Sequence, residues 1–222
     1  MTETSAVHAL PLSFERDEGE FVVHPAAVET PRGLVLVDVG LPGAIEQLSV
    51  HLDDLGFGWD DVWAVLVTHH DGDHVGSLPD VLDRTDAAVF AAREETPYID
   101  GRKDPVKGGD SVGVPVDVEI ENGVTFRTEA GPMRVVGTPG HSPGHVSLVF
   151  PEADLLVAGD ALTAPEGDLS GPNEGFTPEM DEATESVGTL AEYDVDRTLC
   201  YHGGLVDEGT DSIARIHDEL AE

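Results

Sequence analysis

The sequence predicts one α/β (α+β) domain in which sheets stack face to face and helices cover them on the outside. Two observations lead to this prediction. Short apolar runs typical of buried strands alternate with segments of helical periodicity in both halves of the chain, the pattern of stacked layers. The length of 222 residues suits a single domain over residues 1–222, and no low-complexity linker or break in composition divides it.

The first half begins with a predicted hairpin, in which residues 21–29 and 33–39 form strands joined by a turn at residues 30–32. A helix should follow and end at Gly56, because apolar residues recur there at helical spacing: Ala44, Ile45, Leu48, Leu52 and Leu55.

The short apolar run at residues 63–67 predicts a buried strand. Ser77 is placed to cap a short helix that runs to Arg84, and residues 87–91 predict the next strand. The second half repeats this pattern. Strands are predicted at residues 133–137, 145–150, 155–158 and 197–201, and helices at residues 177–193 and 212–220.

The net charge of −34, from 45 acidic residues against 11 basic ones, is the most unusual feature of the composition. Because the acids are spread through a well-patterned hydrophobic sequence, a halophilic surface screened by multimolar salt explains them better than disorder does. The charge argues against nucleic acid as a partner, since phosphate binding needs a basic face.

No apolar run approaches the roughly 18 residues of a membrane span. The first residues also lack the pattern of a signal peptide, so a cytoplasmic protein is expected. The single cysteine, Cys200, permits no internal disulfide and no CxxC motif, and its apolar neighbours predict a buried strand residue.

Residue types that bind metals gather at the ends of predicted strands. Six of the ten histidines fall in three polar segments, each after an apolar run, and Asp160 ends a fourth such run. A structural role would explain any one of these residues alone. Four strand ends with the same chemistry instead predict a metal site at one sheet edge. The six histidines are His69, His70, His74, His141, His145 and His202.

The spacing within the first polar segment suits two ions. His69 and Asp71 lie two positions apart on a loop that leaves a strand, so both can point to the same side. Asp73 and His74 come after a flexible glycine and can address a second ion a few ångströms away.

His141 and His202 would complete the two sets, and the two oxygens of Asp160 could bridge the metals. Nitrogen and oxygen ligands without thiolate suit two divalent ions, with zinc as the first expectation and iron or manganese as alternatives.

Five motifs stand in order along the chain: VLVDVG, THHDGDHVG, TPGHSPGH, AGDAL and CYHGG. On these motifs the sequence resembles the metallo-β-lactamase-fold hydrolase superfamily over most of its length. The resemblance implies a four-layer αββα sandwich with a dinuclear metal site at one edge. Its implied ligands are His69, Asp71 and His141 for one metal, Asp73, His74 and His202 for the other, and Asp160 between them. Asp38, His70 and His145 are expected to support ligands without binding metal.

Asp71 departs from the family pattern HxHxDH, which has a histidine where this chain reads HHDGDH. Three interpretations stay open. Asp71 is itself a ligand, or His70 swings in as a substitute, or the first metal position is weak or empty and the enzyme works with one ion. Members with an aspartate here do occur, and a carboxylate ligand would shift preference toward iron or manganese.

The resemblance implies a hydrolase in which a hydroxide bridging two metals attacks an ester, thioester or lactone. Asp73 is the expected catalytic residue, orienting the nucleophile or receiving its proton. The alternatives are an iron-dependent oxidoreductase similar to persulfide dioxygenases, a phosphodiesterase, and, least favoured, a metal-binding protein without turnover. The expected partner is a small-molecule substrate, with neither nucleic acid nor membrane, and the oligomeric state is left open, with a homodimer as one option.

Three further regions bear on the substrate. Residues 161–180 are expected to form one wall of the pocket. Residues 93–110 hold four of the eleven basic residues, which form either an anion-attracting rim or an ordinary solvated loop. Tyr98, Tyr193 and Tyr201 are the candidate general acids.

Overall fold

Two six-stranded sheets form the centre of the protein in a computed structural model that describes residues 6–16 and 19–222. In spatial order the first sheet contains β1 (Val7–Ala9), β4 (Ala26–Thr30), β5 (Gly33–Val37), β6 (Val62–Val67), β7 (Ala88–Ala92) and β8 (Val118–Ile120). The second contains β14 (Gly204–Val206), β13 (Arg197–Cys200), β12 (Leu155–Gly159), β11 (Val146–Phe150), β10 (Gly131–Gly137) and β9 (Thr125–Thr128). A separate hairpin pairs β2 (Leu12–Arg16) with β3 (Gly19–Val23).

Helices cover the outer face of each sheet. In chain order they are α1 (Ile45–Leu55), α2 (Gly72–Val75), α3 (Leu78–Leu82), α4 (Thr96–Ile99), α5 (Met180–Leu190) and α6 (Thr210–Leu220). Buried residues of α1, α3 and α4 pack on the first sheet, and those of α5 and α6 pack on the second. Among the described residues, no helix combines the length and the apolar character needed to cross a membrane.

Strand β5 shows how the sequence produces this layering. Successive strand residues point to opposite faces. Leu34 and Leu36 therefore join the core beneath α1, whereas Val35 and Val37 join the core between the two sheets. A third cluster lies between the second sheet and α5 and α6. Three cores between four layers make an αββα sandwich, which confirms the predicted fold class.

Parallel pairing places the functional loops together. Strands β5, β6 and β7 run parallel, as do β12 and β13. Since the carboxyl ends of parallel neighbours meet at the same edge of a sheet, the loops that leave these strands gather there.

Most predicted elements are present, and the differences have local causes. The hairpin β4–β5 pairs Thr30 with Gly33, as predicted. The continuous strand predicted at residues 21–29 was wrong, because Pro25 has no N–H and the chain breaks between β3 and β4. The helix predicted from residue 177 starts later, since Thr177 precedes a proline and is extended. The short strands β1, β2, β8, β9 and β14 were not predicted.

Candidate metal centre

The ends of four strands and one longer loop supply the cluster. Asp38 directly follows β5, and the segment from His69 to His74 leaves β6 and enters α2. Asp160 directly follows β12, His202 comes just after β13, and His141 lies in the loop between β10 and β11. Residues far apart in sequence therefore meet at one edge of the sandwich.

Three groups of potential ligands form there, with donor atoms that all lie within 4.8 Å of one another in each group. We call them the first, the shared and the second group. They are His69, Asp71 and His141; then His69, His74 and Asp160; then Asp73, His74 and His202. All seven residues predicted as ligands are members of these groups. That they bind metal stays a prediction.

Asp160 lies between the groups. Its Oδ1 is 3.3 Å from His74 Nε2, and its Oδ2 is 3.2 Å from His141 Nε2 and 3.3 Å from His202 Nε2. One carboxylate thus contacts histidines of both outer groups, which is the placement that a bridging ligand requires.

Asp71 faces the cluster, and His70 does not. Asp71 Oδ2 lies 3.2 Å from His69 Nε2 and 3.1 Å from His141 Nε2. His70 pairs through Nδ1 with the buried Glu95, and its Nε2 accepts a hydrogen bond of 3.1 Å from the N–H of Val106. With both nitrogens engaged elsewhere, His70 is not placed to substitute for Asp71.

The atoms left without partners fit a divalent cation. Among the described residues, three buried side-chain atoms have no hydrogen-bond partner: His69 Nε2, His74 Nε2 and Asp160 Oδ1. Buried polar atoms are normally satisfied, so each unpaired one needs an explanation. These three residues make up the shared group, and their nitrogen and oxygen lone pairs suit an ion such as zinc.

Two supporting residues fix the orientation of ligands. Asp38 accepts a 2.8 Å hydrogen bond from His74 Nδ1, which leaves His74 Nε2 facing the cluster. His145 lies outside the groups: its Nδ1 is 2.8 Å from Thr138 Oγ1, and its Nε2 accepts the N–H of Asp160 at 2.9 Å. His145 therefore holds Asp160 through the backbone.

Charges within the cluster shift its pKa values in opposite directions. Burial disfavours a charged His74 ring, but the carboxylates of Asp160 and Asp38 outweigh it and raise the pKa of His74 well above its usual value. Burial likewise opposes charge on His202, but hydrogen bonds to Asp160 and Asp73 raise its pKa to about 9. Burial, with His141 adding to it, lowers the pKa of His145 to about 3. An ion that binds His74 and His202 must therefore displace protons.

A cavity of about 670 Å³ opens onto the cluster. Its floor includes Asp71, Asp73, His141, Asp160 and His202, and its walls include apolar side chains. The apolar members are Phe21, Leu41, Pro42, Val112, Pro165 and Phe176. The predicted wall at residues 161–180 is confirmed by Pro165 and Phe176. A floor of potential ligands beneath apolar walls is the usual form of a small-molecule site.

The candidate general acids lie away from this cavity. Tyr201 stacks on His74 at 3.6 Å between ring centroids, and its hydroxyl donates to the backbone oxygen of Asp73. Tyr98 stacks on His70, and Arg134 lies over the Tyr193 ring. No tyrosine is among the residues that line the cavity in the described part of the chain.

The basic segment at residues 93–110 does not form a rim of four cations. Arg93 pairs with two surface glutamates, Arg102 pairs with Asp100, and Lys103 lies over the Tyr98 ring. Lys107 alone of these four enters the cluster.

Glu95 is a site residue that the sequence did not predict. It is fully buried and accepts hydrogen bonds from His70 N at 3.0 Å, Ser142 Oγ at 2.7 Å and Gly144 N at 2.6 Å. It thereby joins the loop of His70 to the loop of His141. No local pattern marks Glu95, because its partners lie 25 to 49 residues away.

A four-layer αββα sandwich with a buried histidine–aspartate cluster at one edge defines a class of metal-binding proteins. The chain belongs to one such family: the model of the metallo-beta-lactamase superfamily matches residues 19–202.

Individual relatives agree with this assignment. The chain is 29% identical over 204 residues to the probable metallo-hydrolase YflN of Bacillus subtilis (strain 168), covering 78% of this chain and 76% of that protein. It is 31% identical over 153 residues to a hydroxyacylglutathione hydrolase of Cereibacter sphaeroides (strain ATCC 17029 / ATH 2.4.9), covering 67% of this chain and 49% of that protein. The crystal structure of a metallo-beta-lactamase family protein from Thermus thermophilus shares the fold, with a TM-score of 0.76 over 97% of this chain and 79% of that one, at 22% identity.

Proposed function

We propose that this protein is a metal-dependent hydrolase that cleaves an ester, thioester or lactone of a small molecule. The proposal depends above all on one observation, the convergence of seven histidine and aspartate side chains, five of which form the floor of an apolar-walled cavity. Membership of a superfamily that includes metallo-hydrolases, and similarity to a protein named hydroxyacylglutathione hydrolase, support the reaction class.

Two divalent ions, with zinc as the first expectation, would be held by the first and second groups. Asp160 contacts histidines of both groups. Ions in these positions would polarise the substrate carbonyl and lower the pKa of a bound water. Asp38 keeps His74 Nε2 directed at the cluster, and His145 holds Asp160 in place. Asp73 lines the cavity, with Oδ2 facing His202 at 3.4 Å, and in the proposed reaction its carboxylate would orient the attacking water or receive its proton.

The walls favour an acyl substrate over a phosphodiester. Phe21, Leu41 and Phe176 offer apolar contact to an acyl group. A phosphodiester is anionic, and the lining of the cavity contains four aspartates but no lysine or arginine in the described part of the chain. Bound ions would offset three of these aspartates, so it is the lack of a basic side chain to hold a phosphate, together with Asp110, that disfavours a phosphodiester.

The replacement Asp160→Asn tests the proposal. We expect bound zinc and turnover of a thioester or lactone to be lost together, because Asp160 contacts histidines of both outer groups. Asp110→Asn is the matched control, since Asp110 lines the same cavity but belongs to no ligand group. Metal content would be measured after purification in high salt, alongside a panel of thioesters, lactones and phosphodiesters.

Several results would contradict the proposal. Full activity in Asp160→Asn would show that the cluster takes no part in the reaction. Tightly bound iron with no hydrolysis of any member of the panel would favour the oxidoreductase instead, and cleavage of phosphodiesters alone would overturn the assignment of an acyl substrate.

A further inference from the structure

A cation from outside the predicted ligand set reaches into the first group. The Lys107 ammonium lies 2.5 Å from Asp71 Oδ2 and 2.5 Å from His141 Nε2. Both residues are members of the first group, with His69. The lysine side chain is 20% exposed, so most of it is shielded from water. The ammonium therefore contacts two of the three residues that would bind the first ion.

The hydrogen bonds of His141 fit an ammonium donor. Its Nδ1 lies 3.5 Å from Thr177 Oγ1, and its Nε2 faces Lys107. A lysine ammonium has three donors and no acceptor, so His141 Nε2 must accept with its lone pair. A divalent cation at the first group needs that same lone pair and the same Asp71 oxygen. The ammonium and the ion cannot use them at once.

The position of Lys107 is set by a buried chain of contacts. The N–H of the preceding residue, Val106, donates to His70 Nε2 at 3.1 Å. The other nitrogen of His70 pairs with Glu95, whose side chain is also fully buried. Glu95 in turn accepts hydrogen bonds from the loop that carries His141. The same network that holds His141 thus brings the lysine segment to it.

The second group has no such competitor. In the part of the chain that the structure describes, the ion pairs of Asp73, His74 and His202 involve histidines and carboxylates only. The two outer groups therefore differ: a lysine ammonium contacts one, and no lysine or arginine among the described residues pairs with the other.

We propose that Lys107 is an internal competitor for the first metal position, an inference that rests on the metal binding proposed above. In the metal-free chain its ammonium pairs with Asp71 and His141, and an ion enters the first group only when the ammonium withdraws. The chain accordingly binds two ions with unequal affinity, the first group being the weaker. Removal of the ammonium abolishes two charge-assisted hydrogen bonds, so it strengthens binding at this group by about tenfold or more.

The test is calorimetric titration of the metal-free protein with Zn²⁺ in high salt, combined with metal counting per chain after gel filtration. Lys107→Met keeps much of the length of the side chain and removes its charge. We expect one tight and one weak event in the wild type. In Lys107→Met the weak event should become tighter by about tenfold or more while the tight event is unchanged.

Lys103→Met is the matched control, because it removes the same charge from the same segment. The Lys103 ammonium lies over the Tyr98 ring, 5.1 Å from its centroid, and not in the cluster. If Zn²⁺ affinity rises equally in both variants, the effect is one of net charge and the inference is overturned. It is also overturned if Lys107→Met gains no affinity. If the wild type binds two ions with equal affinity, only the inference fails. If neither the wild type nor Lys107→Met binds Zn²⁺, the proposed function fails with it.

Discussion

The replacement Asp38→Asn would test how the protein controls the proton on His74. The buried Asp38 carboxylate accepts hydrogen bonds from Thr68 N at 2.8 Å through Oδ1, and from Thr68 Oγ1 at 2.7 Å and His74 Nδ1 at 2.8 Å through Oδ2. Because Nδ1 donates to Asp38, His74 Nε2 can offer its lone pair to an ion.

Asparagine cannot reproduce this arrangement, since it has one oxygen and one NH₂ group. If its oxygen stays on Thr68 N, the NH₂ faces His74 Nδ1, and the ring must carry its proton on Nε2. If the amide turns over, its NH₂ meets the N–H of Thr68 and two donors oppose each other. Either outcome removes a ligand lone pair or a backbone hydrogen bond.

The expected loss of Zn²⁺ affinity is about 10- to 100-fold, the usual effect of changing a residue that orients a ligand. This corresponds to about 1.4–2.8 kcal/mol of binding free energy. The metal-free protein should also lose about 2–3 kcal/mol of stability, because a hydrogen bond to a buried charge is replaced by an unfavourable contact.

Titration with Zn²⁺ and denaturant unfolding would measure the two effects separately. Asp117→Asn is the control, since Asp117 accepts a 2.8 Å hydrogen bond from Val89 N, belongs to no ligand group, and keeps an acceptor oxygen as asparagine. Wild-type Zn²⁺ affinity in Asp38→Asn, or a loss no larger than in the control, would refute control of the His74 proton by Asp38.

Three further predictions concern the surroundings of the cluster. Gly203→Ala should lower the free energy of unfolding by about 1–3 kcal/mol or more, because φ is +119° and a Cβ would lie 2.1 Å from the Ala164 oxygen. An unchanged denaturation curve would contradict this prediction. Zn²⁺ affinity should rise with pH up to about 9, because the raised pKa of His202 means that the ion must displace a tightly held proton; affinity independent of pH in calorimetry would argue against it. Burial raises the pKa of the Cys200 thiol, so Ellman's reagent should label it only after unfolding, and rapid labelling of the native protein would disprove its burial.

The candidate ligands could be predicted because local sequence marks them. Each candidate ligand either comes soon after an apolar strand or lies in a polar loop next to one. Parallel strands bring their carboxyl ends to the same edge of the sheet. The layer structure was equally predictable, since the alternation along residues such as Val35 and Leu36 already assigns each side chain to a face. Pro25 is a local signal against the continuous strand predicted at residues 21–29, because its missing N–H is sufficient to end a strand.

Other features could not be predicted because their partners are distant in the chain. The hydrogen bonds of Glu95 span up to 49 residues, and Lys107 meets a histidine 34 residues away. In the sequence both lie in a polar stretch that fits a solvated loop. Only the packing of that loop over the cluster distinguishes Lys107 from Lys103, which carries the same charge four positions earlier.

Asp71 and Lys107 are best understood as one unit. Although burial disfavours its charge, close contacts with His141 and His69 and the charge of Lys107 hold the pKa of the Asp71 carboxyl well below its usual range. The carboxylate is therefore charged and compensates the ammonium, which would be costly to bring so far out of water unpaired. A histidine at position 71 would offer a lone pair but no charge, and the ammonium beside His141 would then lose its counter-charge. If the ammonium and the ion compete as proposed, the aspartate that distinguishes this chain from the HxHxDH pattern gives the first group two alternative occupants, an internal ammonium or a divalent ion.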